Sequence, residues 1–241
     1  MKLPPLVLCY HAITGGWRHA LAVTPDAFER QVGGCLRRGF RPVSAERILT
    51  ASPRDLHVTF DDAFVSVERA LPVLERLGVR ATVFACPGYV DDGRPLDVSE
   101  LAADALAQPD ELETMTWDGL RGLVERGIEV GSHTVNHVHL TRLGDAELRR
   151  ELTESRERLE AGLRRPCRFL AYPYGEEDER VHAVARASGY QAAFALPGSI
   201  RPLNRYALPR VGIYRKDGVL RATLKTSRLR RLVPLLHRLT S

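Results

Sequence analysis

The sequence predicts an α/β fold in one domain, with a mostly parallel sheet closed into a barrel. Three observations point there. Short apolar runs alternate with helix-like segments along the whole chain, an order that joins parallel strands through helical crossovers. About six or seven such units follow one another. No repeat, low-complexity tract or linker interrupts them, and about 200–250 residues is an ordinary size for one barrel domain.

The elements can be justified in turn. Residues 5–10 form an apolar strand. Residues 24–39 form a helix, with Thr24 suited to the N-cap, Pro25 to the first helical position and Gly39 to the end. Residues 56–60 are a second strand and 67–78 a second helix, followed by a strand over 80–85. Residues 87–113, rich in Pro, Gly and Asp, read as a long loop with a short helix at 101–107. Thr116 caps a helix that runs to Gly127. A strand at 128–131 precedes a helix over 145–162, whose apolar side carries Leu148, Leu152 and Leu159. Then come a strand at 169–172, a helix at 179–189, a strand at 192–195 and a last strand-like run over 206–213. The barrel is expected to occupy residues 1–217, and residues 218–241 to form a basic helical tail.

Composition narrows the classes. Of 241 residues, 44% are hydrophobic and 27% charged, as in ordinary globular proteins. The cysteines, Cys9, Cys35, Cys86 and Cys167, form no CxxC pair, which excludes zinc-ribbon spacing. Buried thiols in a reducing compartment are expected. Met1-Lys2 leads into an apolar run too short for a signal peptide, and no stretch approaches a membrane span. The expected location is cytoplasmic. The formal charge is +5, and no acidic residue follows Asp217. That tail is either the solvated face of a terminal helix or a peripheral contact with the inner face of a membrane. Nucleic acid is not an expected partner.

In such barrels the chemistry gathers where strands end. The second strand runs into Asp61-Asp62. Adjacent carboxylates in a poorly solvated place repel unless a cation or proton relieves them; alternatively, the pair opens a loop and caps a helix. The strand ending at Gly131 runs into His133 and His137. At i and i+4 they lie on one face of a helical turn and can share a metal. With one aspartate they make a two-histidine, one-carboxylate set with positions left for water and substrate. The strand at 169–172 runs into Pro173-Tyr174-Gly175, a turn whose amides can face an oxyanion. His11 follows the first strand and can act as a general acid. Trp17, with Arg18, lies in the first loop and is a candidate for sugar contact. His139 is expected to face solvent.

Three segments together resemble the polysaccharide deacetylase family, the NodB-homology group also called carbohydrate esterase family four: Thr59-Phe60-Asp61-Asp62, Ser132-His133-Thr134-Val135-Asn136-His137 and Tyr172-Pro173-Tyr174-Gly175. Leu8-Cys9-Tyr10-His11-Ala12-Ile13 and Leu208-Pro209-Arg210-Val211 are similar to its branch that deacetylates poly-N-acetylglucosamine. The resemblance implies a distorted (β/α)7 barrel and one divalent metal, zinc above all, with cobalt or nickel as alternatives. It implies Asp61 as general base, Asp62, His133 and His137 as metal ligands, the Tyr174 amide at the oxyanion and His11 as acid. Tyr172 and Pro173 join Trp17 as expected substrate contacts. Two positions depart from the family pattern: Ala63 replaces the usual glycine, and Ala171 replaces an arginine that orients the base. Arg210 is the expected substitute. Leu235-Leu236-His237 fits a C-terminal family motif by its letters only.

The expected activity is hydrolysis of an N-acetyl group on an amino sugar. An intracellular site would favour a sugar nucleotide, lipid-linked sugar or small glycoside over a polymer. The rival readings are a catalytically silent carbohydrate-binding relative and a non-haem iron oxygenase, since the same ligand set can hold iron.

Overall fold

The computed structural model describes residues 4–196 and 204–227. Its frame is a nearly closed barrel of parallel strands in one domain. The strands are β1 (Leu6–Tyr10), β2 (Asp55–Phe60), β3 (Ala81–Ala85), β4 (Glu129–Ser132), β5 (Phe169–Ala171), β6 (Ala192–Ala195), β7 (Leu208–Pro209) and β8 (Val211–Gly212). Their order in the sheet is β7-β6-β5-β4-β3-β2-β1-β8. The register of β1 on β2 runs from Leu6 opposite Leu56 to Tyr10 opposite Phe60.

Alternate residues of each strand serve two different cores, because successive side chains point to opposite faces. Leu6, Leu8, Leu56, Val58, Val83 and Leu170 pack outward with Phe28, Val32, Leu120 and Leu152 from the surrounding helices. Val7, Phe84, Phe169, Ala192, Phe194 and Leu208 meet in a separate cluster that fills the lower interior. Such strands are buried on both faces and read as continuous apolar runs, so their presence was visible in the sequence.

The helices are α1 (Pro25–Arg37), α2 (Leu71–Leu77), α3 (Trp117–Glu125), α4 (Asp145–Leu163), α5 (Glu179–Ala187) and α6 (Val219–Lys225). Thr24 caps α1 by accepting from the Ala27 amide at 3.2 Å, and Thr116 caps α3. The helix expected over 67–78 is instead a 3-10 turn, Val65–Ala70, continued by α2. Pro72 explains the break: it has no N–H, and its ring clashes with an α-helical carbonyl four residues earlier. The long loop after β3 holds the expected short helix, Ala102–Ala107, and two further helical turns at Pro87–Val90 and Pro109–Leu112.

The last strand-like run is split. β7 pairs with β6 and β8 pairs with β1. Between them Arg210 donates its amide to Ala195 O at 3.1 Å, and just after β8 Ile213 donates to Cys9 O at 2.9 Å. One short segment thus passes from one edge of the sheet to the other and nearly closes the barrel. Helix α6, at the start of the expected tail, docks on α1: Arg38 Nη1 donates to Thr223 Oγ1 at 3.0 Å. Lys225 is held by Asp217 at 2.5 Å. The remainder of the tail, 228–241, lies outside the described residues. The four cysteines are buried and form no disulfide. Among the described residues no helix is long and apolar enough to cross a membrane.

Candidate active site

The polar residues of the upper interior and the loops above it converge. Asp61 and Asp62 follow β2 directly, and both are buried. The chain turns sharply here: Asp62 and Ala63 have φ of 70° and 51°. A left-handed conformation costs a residue with a Cβ about 1–2 kcal/mol, so Ala63 carries strain that the family's usual glycine would avoid.

The turn sends the two carboxylates to different partners. Asp61 is gripped by Arg210, with Nη1 to Oδ1 at 2.6 Å and Nη2 to Oδ2 at 2.8 Å. Such a bidentate fork fixes orientation as well as charge. Arg210 Nη1 also donates to Thr59 Oγ1 at 3.2 Å, its guanidinium lies over the Phe84 ring, and the Cys9 thiol donates to Asp61 Oδ2 at 3.4 Å. Burial is the strongest single influence and would raise the Asp61 carboxyl, but the Arg210 charge, His133 and the Arg210 hydrogen bonds together outweigh it and hold the group well below the usual carboxylate range. Arg210, the expected substitute for the arginine absent at Ala171, thus reaches Asp61 from the last strand segment.

Asp62 faces the histidines. Its Oδ1 lies 3.3 Å from His137 Nε2 and 3.6 Å from His133 Nε2, yet this buried oxygen has no hydrogen-bond partner. A buried polar atom without one calls for an explanation. Asp62, His133 and His137 each offer a ligand atom within 4.8 Å of the others, so a cation among them accounts for the arrangement. His133 is prepared for that task. Its Nδ1 lies 2.8 Å from Ala171 O; since a carbonyl only accepts, Nδ1 carries the proton and Nε2 keeps its lone pair. Burial pulls His133 down to about 4, against the opposing pull of Asp61, so the ring is neutral at neutral pH. His137 moves the other way: burial lowers it, but the Asp62 carboxylate more than compensates.

The two histidines do not sit on a helical turn, as the spacing suggested. They stand in an irregular loop with positive φ at Thr134 and His137. Glu151 of α4 holds this loop. Its Oε2 accepts from the Val135 and Asn136 amides at 2.9 and 3.1 Å, and its Oε1 from Asn136 Nδ2 at 2.7 Å. Thr134 Oγ1 accepts from the His137 amide at 3.0 Å. Gly88 packs against the loop so closely that a Cβ would lie 2.6 Å from Val135 O. Nothing local in the sequence marks Glu151, one of many charged residues on a helix.

His11, Asp61, Asp62, His133, His137 and Tyr174 share one cavity. His11 Nδ1 is buried without a hydrogen-bond partner, and its ring lies beside Tyr214. Tyr174 adopts a left-handed φ of 59°, and no backbone carbonyl takes its N–H among the described residues. The Tyr174 and His139 rings stack at 3.8 Å. His139, expected in solvent, lies between Glu176 at 3.0 Å and Glu100 at 3.4 Å.

Three expected substrate contacts are placed differently. Trp17 is fully buried beneath the loop after β3, with Nε1 donating to Asp104 at 3.1 Å. Tyr172 is buried and donates its hydroxyl to Tyr206 O at 2.9 Å. Pro173 is buried as well. An aromatic side chain near Gly-Gly is as useful for anchoring a loop as for stacking on a sugar, and the partner that decides lies far off in the chain.

At the mouth of a parallel barrel, the site thus combines a two-histidine, one-carboxylate set that could hold a metal ion with a separate clamped carboxylate. The chain belongs to the polysaccharide deacetylase family, which it matches over residues 49–193. Among sequence relatives it is similar to YxkH of Bacillus subtilis (strain 168), named a putative polysaccharide deacetylase, with 26% identity over 88% of this chain and 71% of the relative. Among solved structures it is similar to BC0361, a polysaccharide deacetylase from Bacillus cereus, at 25% identity and a TM-score of 0.73, covering 94% of this chain and 69% of the other. The fold is also shared with IcaB from Ammonifex degensii, at 22% identity and a TM-score of 0.76, over 94% and 99% of the two chains.

Proposed function

We propose that the protein is a metal-dependent hydrolase that removes an N-acetyl group from an amino-sugar-containing carbohydrate or glycoconjugate. The observation that carries this reading is the division of labour between adjacent aspartates, with Asp61 clamped by Arg210 and Asp62 turned to two histidines. A metal-binding site needs one ligand carboxylate; the second, kept ionised and oriented, is what a general base requires.

Asp62, His133 and His137 would hold the ion, zinc above all, with cobalt or nickel as alternatives. Bound there, such an ion supplies a Lewis acid for a carbonyl and lowers the pKa of water. The chain's own groups do the rest. Asp61 takes a proton from the attacking water. Arg210 keeps the Asp61 carboxylate charged and fixed in direction. The Tyr174 amide donates to the oxygen that becomes negative as the acetyl carbon turns tetrahedral. His11, at the edge of the same cavity, protonates the departing amine.

Acetate release from a panel of N-acetylated sugars tests the reading, run with chelator and with zinc or cobalt restored. Release that chelator stops and metal restores is expected. Sugar binding without release would favour a silent carbohydrate-binding relative, and oxygen-dependent turnover with iron would favour an oxygenase. Asp61→Asn should lower turnover at least about 100-fold with zinc content unchanged. Loss of zinc together with activity would contradict the separate roles of Asp61 and Asp62.

A further inference from the structure

The site floor lies in a cavity of about 260 Å³. Pockets for drug-sized ligands run to about 300–1,000 Å³, so this space suits one acetamido sugar and not a row of them. Val98, Glu100 and Leu101 form part of its wall. They belong to the segment 96–112 of the long loop after β3.

That segment is tied down on two sides. Toward the loop after β1, Trp17 donates to Asp104 at 3.1 Å and shares a buried cluster with Leu96, Leu101 and Leu112. Toward the loop after β5, the Tyr174 hydroxyl donates to Glu100 Oε2 at 2.9 Å, and from the neighbouring loop after β4 His139 lies 3.4 Å from Glu100 Oε1. β1 and β5 are four places apart in the sheet order, which sets them on opposite sides of a nearly closed barrel. A segment tied to both bridges the mouth on its β3 side. The polar tie is exposed and contributes little by itself. The apolar tie is a small core, with Trp17, Leu96 and Leu112 fully buried, so the bridge is a built wall.

We infer that the enzyme acts on a sugar at a chain end, or on a single glycoside, and not within a continuous polysaccharide. An internal sugar carries glycosidic bonds on two sides and needs two ways out of the pocket. A terminal sugar needs one, and the wall built by residues 96–112 stands in the way of the second. This rests on the deacetylase reading above.

The test uses the full chain loaded with zinc, given a pentamer of N-acetylglucosamine and, separately, its methyl glycoside. Fragment mass spectrometry locates each free amine in the pentamer. A terminal residue is expected to lose acetate more than tenfold faster than any internal one. Internal residues reacting within tenfold of the ends overturn the inference and leave the deacetylase reading standing. Acetate from neither compound overturns that reading, and the inference with it. Trp17→Ala, which removes the peg under the bridge, should raise internal release at least tenfold while the methyl glycoside reacts as before. Should this variant not fold, the positional measurement on the unmodified chain decides alone.

Discussion

Asp61 and Asp62 are chain neighbours whose side chains have little in common. The first ends in a guanidinium fork and the second beside two imidazoles. The fork makes Arg210 the most exposed point of failure, because both charges are buried and removing one leaves the other uncompensated. Arg210→Met is expected to cost roughly 3–5 kcal/mol of stability, read from denaturant midpoints, and to abolish turnover. A loss under about 1 kcal/mol would show that Asp61 is not ionised in the folded chain. Arg210→Lys keeps the charge but cannot reproduce the fork, so activity should fall further than stability. At this scale the sequence was informative about identity and poor about surroundings. The two aspartates, the two histidines and His11 were legible because each follows an apolar run. The packing of Trp17 was not, because Leu96, Asp104 and Leu112 lie some eighty or more positions downstream.

The loop carrying the two histidines shows what an element can hide. An i, i+4 spacing also occurs in an irregular segment when an outside group fixes it, and here Glu151 does so through two amides and a side chain. Glu151→Ala would strip those donors of a charged acceptor, with bonds to charged groups contributing about 1.5–3 kcal/mol each. Zinc affinity should fall roughly 10–100-fold, as for other groups that orient metal-ligating histidines; competition with a chromophoric chelator would measure it. Unchanged affinity would mean that the loop holds its shape unaided. The 3-10 turn before α2 was readable in principle from Pro72. The split of β7 from β8 was not, because it depends on which sheet edges the chain must reach.

The whole barrel is layered. Its lower interior is apolar, its upper interior is charged, and His57 sits among the lower strands, donating through Nδ1 to Val43 O at 2.8 Å with Nε2 2.9 Å from Thr82 Oγ1. Burial pulls His57 from its ordinary 6.5 to about 4, only partly offset by the bond to Val43. As pH falls, the unfolded chain takes up this proton before the folded one does. The stability tied to neutral His57 is therefore complete above about pH 6.5 and lost progressively on the way to 4. A His57→Gln variant should lose less Tm across that window than the unmodified chain; equal slopes would show that His57 charges without cost. The parallel barrel was legible because strands buried on both faces announce themselves, whereas its interior layering required the register. The segment from β7 to β8 joins β6 to β1 and also delivers Arg210 to Asp61. One segment thus supplies both the geometric completion and the neutralising charge, and it is almost the last part of the barrel to leave the ribosome. Until residues 208–212 have been synthesised and paired, Asp61 has no guanidinium partner. A nascent chain lacking them would hold a reactive centre that is incomplete in both shape and charge.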